Sequence, residues 1–150
     1  TSSNFAPTVT LTWAAGVVSR VEYSRFQRDV TTSGNLTVNE VQRIGATLNF
    51  SFRAPGWLVR LPSEMRTALM ASATNNDVCL LRRESTECVP VSESRRQQVD
   101  LRLDTAFPPS MRGGMSLSYV LTEELHTSSK FSQLVLTVFL DINFLASQVR

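Results

Sequence analysis

The chain is poor in several residue types on which protein chemistry often depends. It has one histidine, His126, and one lysine, Lys130. Its two cysteines, Cys79 and Cys88, stand nine residues apart in the middle of the chain. Two thiols and a distant imidazole cannot complete a tetrahedral zinc set within one chain. A lone histidine offers a triad only if a nucleophile and a carboxylate converge on it. His126 stands beside Glu123 and Glu124 and runs into Thr127-Ser128-Ser129, so it reads as a solvated loop residue. No phosphate-cradling glycine loop and no calcium loop is present. Met111-Arg112-Gly113-Gly114 lacks the downstream lysine and reads as a turn. No apolar run approaches the roughly 18 residues of a membrane-spanning helix, and from this no membrane insertion is expected. The reading is therefore of a protein that is not an enzyme and needs no cofactor.

A net charge of +2 is too small to argue for nucleic acid. Fourteen of the fifteen basic residues are arginine, which suits ion pairs and interfaces or reflects a GC-rich genome. Arg20, Arg25 and Arg28 interleave with Tyr23 and Phe26, but Glu22 and Asp29 dilute the field, so no nucleic-acid partner is expected. Two glycosylation-type triplets, at Asn35 and Asn49, are no more than chance supplies.

Alternation of apolar and polar residues is what the sequence has in abundance, with 33 serines and threonines among its 150 residues. Val9, Leu11 and Trp13 share one parity against Thr8, Thr10 and Thr12. The pattern returns at Val21 and Tyr23, at Leu48, Phe50 and Phe52, and at Trp57, Val59 and Leu61. It recurs at Val99, Leu101 and Leu103, and at Met115, Leu117, Tyr119 and Leu121. Leu134, Leu136, Val138, Leu140, Ile142 and Phe144 form the longest run, read as inward positions whose register is fixed by the face they share. Ser33-Gly34 and Ala54-Pro55-Gly56 are turn signals. Residues 63–72 are the best helical candidate, with Ser63 as cap and Met65, Ala68 and Leu69 on one face. The fold class is all-β: an immunoglobulin-like or jelly-roll sandwich of about eight short strands with one short helix, in a single domain over 1–150.

Apolar residues flank the polar stretch between Cys79 and Cys88, as in a hairpin that brings both thiols within bridging distance. Oxidation would close a small loop, contributing about 2.5–3 kcal/mol, and would place the chain outside the reducing cytosol.

Neither Pro7–Trp13 nor Gln133–Leu140 contains a charge, so both read as strands open to pairing, the first either as the domain's own first strand or in a neighbour's groove. With Val9, Leu11 and Trp13 at the start and the alternating Leu134–Phe144 strand near the end, the chain resembles subunits of chaperone–usher fimbriae. The resemblance covers under a fifth of its length. It implies a non-enzymatic subunit of an extracellular filament, exported through the periplasm to the cell surface. Residues 1–14 would be a donated or swapped strand, and Val9, Leu11, Trp13, Leu134, Leu136 and Val138 assembly contacts. Its partners would be copies of itself or related subunits and a periplasmic chaperone. The small local cysteine loop and the arginine content depart from that family. The alternatives are a jelly-roll viral coat protein and a secreted ligand- or carbohydrate-binding module that stacks its ligand on Trp57; Trp57 itself is expected in the core.

Overall fold

In a computed structural model the structure describes residues 1–32, 35–53, 64–81, 87–107 and 111–142. The Ser33-Gly34 and Ala54-Pro55-Gly56 turn signals, the Trp57–Leu61 strand, the Ser63 cap and Phe144 lie outside the described residues. The described residues form eight strands: β1 (Ser2–Phe5), β2 (Thr8–Thr12), β3 (Val18–Thr32), β4 (Asn35–Arg53), β5 (Glu64–Leu81), β6 (Cys88–Phe107), β7 (Met111–Glu124) and β8 (Ser129–Ile142). A three-residue 3-10 turn, Ala14–Gly16, joins β2 to β3, with Gly16 at a φ of 75° that suits glycine.

All eight strands belong to one antiparallel sheet, and each strand from β3 onward pairs with the next in sequence. β1 and β2 lie end to end along β3, opposite Arg25–Arg28 and Val18–Glu22 respectively. The sheet is therefore seven strand positions wide. The all-β expectation holds, but the described strands make a single sheet rather than the two layers of a sandwich.

Three other expectations are corrected. The strands are long, 14 to 20 residues from β3 to β8, against a usual five or six. Polar stretches such as Arg25–Asp29 and Asn75–Asp77, which look like strand ends in sequence, continue because a partner holds every residue laterally. The expected helix over 63–72 is strand from Glu64 onward: Met65, Ala68 and Leu69 pair with β4 on one side and β6 on the other. Two ladders of backbone bonds outweigh a weak local helical preference.

Gly113-Gly114 is no turn but the interior of β7. A Cβ on Gly114 would fall 2.6 Å from the Leu103 carbonyl oxygen and 2.7 Å from the ring of Phe139, its cross-strand partner. Glycine is required there by an aromatic ring lying across the backbone.

The sheet has almost no core. Among the described residues Met65 is the only apolar side chain less than a tenth exposed. Leu134, Leu136, Val138 and Leu140 share one face, as their alternation predicts, yet no layer among the described residues covers them and they stand 60–73% exposed.

Candidate functional surface: two faces of one sheet

Side chains alternate across a strand, so the registers assign every described strand residue to one of two faces. One transverse row of the first face reads Leu11, Ser19, Leu48, Leu69, Leu101, Leu117, Leu136 from edge to edge. The next row reads Val9, Val21, Ala46, Ala71, Val99, Tyr119, Leu134. Ile44, Phe50, Phe52, Met115, Val138, Leu140 and Ile142 extend the same band. Aromatic rings stand toward its margins: Phe5 against Tyr23 at 6.4 Å on one side, Phe50 stacked on Phe52 at 5.9 Å on the other. Trp13 joins this face, 56% exposed, its indole N–H donating to Ser19 Oγ at 2.8 Å.

The band ends abruptly in a polar belt. Two rows above Val21, the same face reads Arg25, Gln42, Asn75, Arg95, Glu123, Lys130. Arg25 Nε lies 2.7 Å from Glu40 Oε1, Lys130 Nζ 2.8 Å from Glu123 Oε1, and Arg95 donates to Asn75. The Gln42 amide donates to Glu40 at 2.6 Å and, with Arg25, holds the Glu40 carboxyl below its ordinary range. Lys130 does the same for Glu123 through a hydrogen bond. The Asp29 carboxyl is lowered by hydrogen bonds from Gln27 and Thr1, and Arg25 is raised by Glu40.

Beyond the belt β3–β4 and β5–β6 run on as four paired strands. Cys79 and Cys88 are joined at their far end, with Cα atoms 5.6 Å apart, beside a bulge at Val78/Cys79. The bridge read from the sequence is therefore present.

The opposite face is mostly polar along the height of the band, with Met70, Val135 and Phe139 among its larger apolar members. Arg20 and Arg43 flank Glu22 at 3.7 and 4.0 Å, Arg66 lies 3.8 Å from Glu64, and Arg102 2.8 Å from Asp104. Arg96 donates to Gln98, and Gln98 to Asp100. Thr8, Thr10, Thr12, Thr47, Asn49, Ser116, Ser118 and Thr137 share this face. A hollow lined by Glu64, Arg66, Arg102, Asp104, Arg112 and Asp141 opens on it. Charged pairs on the first face stand in the belt, never in the band; on the second they stand at band height.

The residues singled out from sequence divide accordingly. Val9 and Leu11 pair with Val21 and Ser19 of their own β3, while Leu134, Leu136 and Val138 form the band's far edge on β8. The six are on one face at opposite edges of the sheet. His126 lies exposed in the turn between β7 and β8, the loop position read from the sequence. Among the described residues no group of three or more histidine, cysteine or acidic side chains is placed to hold a metal ion. What sequence reasoning missed is the belt and the charged face. The signal was available: Arg20/Glu22, Glu64/Arg66 and Arg102/Asp104 are charges two apart in strands, which fixes them to one face.

No protein-family model matches the chain, and no curated protein matches it significantly. The function therefore has to be read from the two faces alone.

Proposed function

We propose that the sheet is part of the wall of a membrane-spanning β-barrel, with the apolar face toward lipid and the charged face toward a water-filled interior. The observation that carries this reading is the uncovered apolar band, bounded by aromatics and a polar belt, on a sheet whose other face is charged at the same height. Leu134 to Ile142 span nine residues of β8, close to the 9–11 that a tilted strand needs to cross a bilayer. Barrels of this kind show an outward apolar band about 25 Å tall, aromatic girdles and a polar interior. In water such a band would be an aggregation surface, since exposed apolar patches on soluble monomers rarely exceed a few hundred Å². The charged face could not pack on a second apolar layer without stranding its arginines.

The meander order of β3 to β8 and the long strands that continue past the belt fit the same picture. No described helix is long and apolar enough to cross a membrane, which bears on helices only. The sequence expectation of no membrane insertion had the same restricted basis.

The test is insertion of the purified chain into liposomes carrying brominated acyl chains. The expected result is co-flotation with the lipid and quenching of tryptophan emission, because Trp13 stands on the lipid face. A monodisperse, detergent-free, water-soluble chain that stays out of the lipid fraction would overturn the reading.

A second reading, the non-enzymatic filament subunit at the cell surface, is favoured by one specific observation: β8 carries Leu134, Leu136 and Val138 on an edge with no partner among the described residues. In that reading Val9, Leu11 and Trp13 leave β3 and enter a neighbour. Leu11→Asp would then abolish filaments and leave the isolated fold intact, whereas unaffected assembly would sink it.

A further inference from the structure

The two edges of the sheet are built differently. The β1–β2 edge is blunted: two segments of four and five residues are interrupted at Ala6-Pro7, and proline has no N–H to offer. β8 has none of these devices. It runs 14 residues without a bulge in its pairing to β7, contains no proline, and carries no charge from Phe131 to Leu140. Such an edge is a template for another strand. In hydrocarbon, each backbone group it leaves unpaired costs several kcal/mol.

Strand direction narrows the partner. Each step across the sheet reverses direction, and the sheet is seven positions wide, so β8 runs the same way as β1 and β2. Closing β8 onto β2 of the same chain would need parallel pairing in an otherwise antiparallel sheet. A second copy in the same membrane orientation presents β2 in that same direction. A two-fold antiparallel pairing of β8 with β8 of a copy would set Lys130 of the belt opposite Ile142 at the far margin of the band.

We infer that the edge of β8, unpaired among the described residues, is the docking site for an antiparallel amphipathic β-strand of another polypeptide, running in the direction of β7. Its membrane orientation rests on the barrel-wall reading; the chemistry of the edge does not. The incoming strand spans at least the nine residues from Leu134 to Ile142. It places apolar side chains beside Leu134, Leu136, Val138 and Leu140, and on the other face polar ones beside Gln133, Thr137 and Asp141 with small or apolar ones beside Val135 and Phe139. Recognition of this kind takes its affinity from the main chain and its register from the alternating side chains.

The experiment is amide hydrogen exchange of the whole chain in detergent micelles with two synthetic peptides. One has the sequence of β7, Met111–Glu124, whose alternation already matches β8; the other has the sequence of β8, Ser129–Ile142. Without peptide, the alternate β8 amides that do not bond β7 should exchange freely. The β7-sequence peptide should slow them about tenfold or more. A nitroxide at its N-terminus should broaden resonances near Ile142 and leave those near Ser129 unchanged. Outward amides already protected without peptide would mean that the chain or a copy closes its own edge. Equal protection by the β8-sequence peptide would assign the edge to a second copy. Broadening near Ser129 would mean parallel docking. Each of these overturns the proposal. Failure of lipid insertion alongside intact antiparallel docking would remove the barrel-wall reading alone.

Discussion

The two faces of this sheet share one backbone and one set of registers, yet they differ in what they exclude. The first admits charge only beyond its apolar band, in the row from Arg25 to Lys130. The second admits charge at every height and holds three ion pairs two residues apart along a strand, Arg20–Glu22, Glu64–Arg66 and Arg102–Asp104. On the barrel-wall reading, alternation of single residues separates two solvents across the thickness of one sheet. A buried core would have tolerated neither the 73% exposure of Val138 nor the arginines behind it.

Adjacent residues on β8 give the sharpest way to break that comparison. Leu136→Arg, in mid-band, should destabilise the lipid-inserted chain by about 2–4 kcal/mol, and Thr137→Arg by about 1 kcal/mol or less. Denaturant unfolding in liposomes measures both, and equal costs would mean that the faces do not see different solvents. Reduction of Cys79–Cys88 should lower stability by about 2.5–3 kcal/mol. The loss should be concentrated in the outer ends of β5 and β6, where hydrogen exchange would accelerate while the band stays protected.

Gly114→Ala tests the close approach on the charged face. The added methyl meets backbone and an aromatic ring, so a cost of about 1–3 kcal/mol is expected, relieved in part by the double change with Phe139→Ala. Thermal unfolding of the two variants decides it.

The smallest effect concerns pH. Glu40, Glu123 and Asp29 have carboxyls held below their ordinary values by partners in or above the belt. Their contribution is present above the unfolded value near pH 4 and is lost as pH falls through the lowered folded values. Stability should therefore be flat from about pH 5 to 8 and decline only below about pH 4, with a shallower decline in Glu123→Gln.

Much of this was legible in the sequence. The parity of Val9 with Leu11 and of Leu134 through Ile142, the bridge between Cys79 and Cys88, and the all-β class all follow from spacing. Hidden were strand length and the gathering of all the described strands into one sheet. Periodicity says which residues share a face and nothing about what covers it, so Leu134–Ile142 reads equally as a core stripe or a lipid stripe. The helix expected near Met65 and the turn expected at Gly113-Gly114 failed for one reason. Both stretches sit between two strands, and lateral pairing, invisible to a local window, decides their conformation.

Lys130 has a practical consequence that its place in the belt makes available. It is the only lysine of the chain, and its side chain is 70% exposed beside Glu123. An amine-reactive dye that does not cross bilayers would therefore attach to side chains at a single depth, on a single side. Labelling of sealed vesicles, intact against ruptured, would show which compartment the disulfide end faces, without a single substitution.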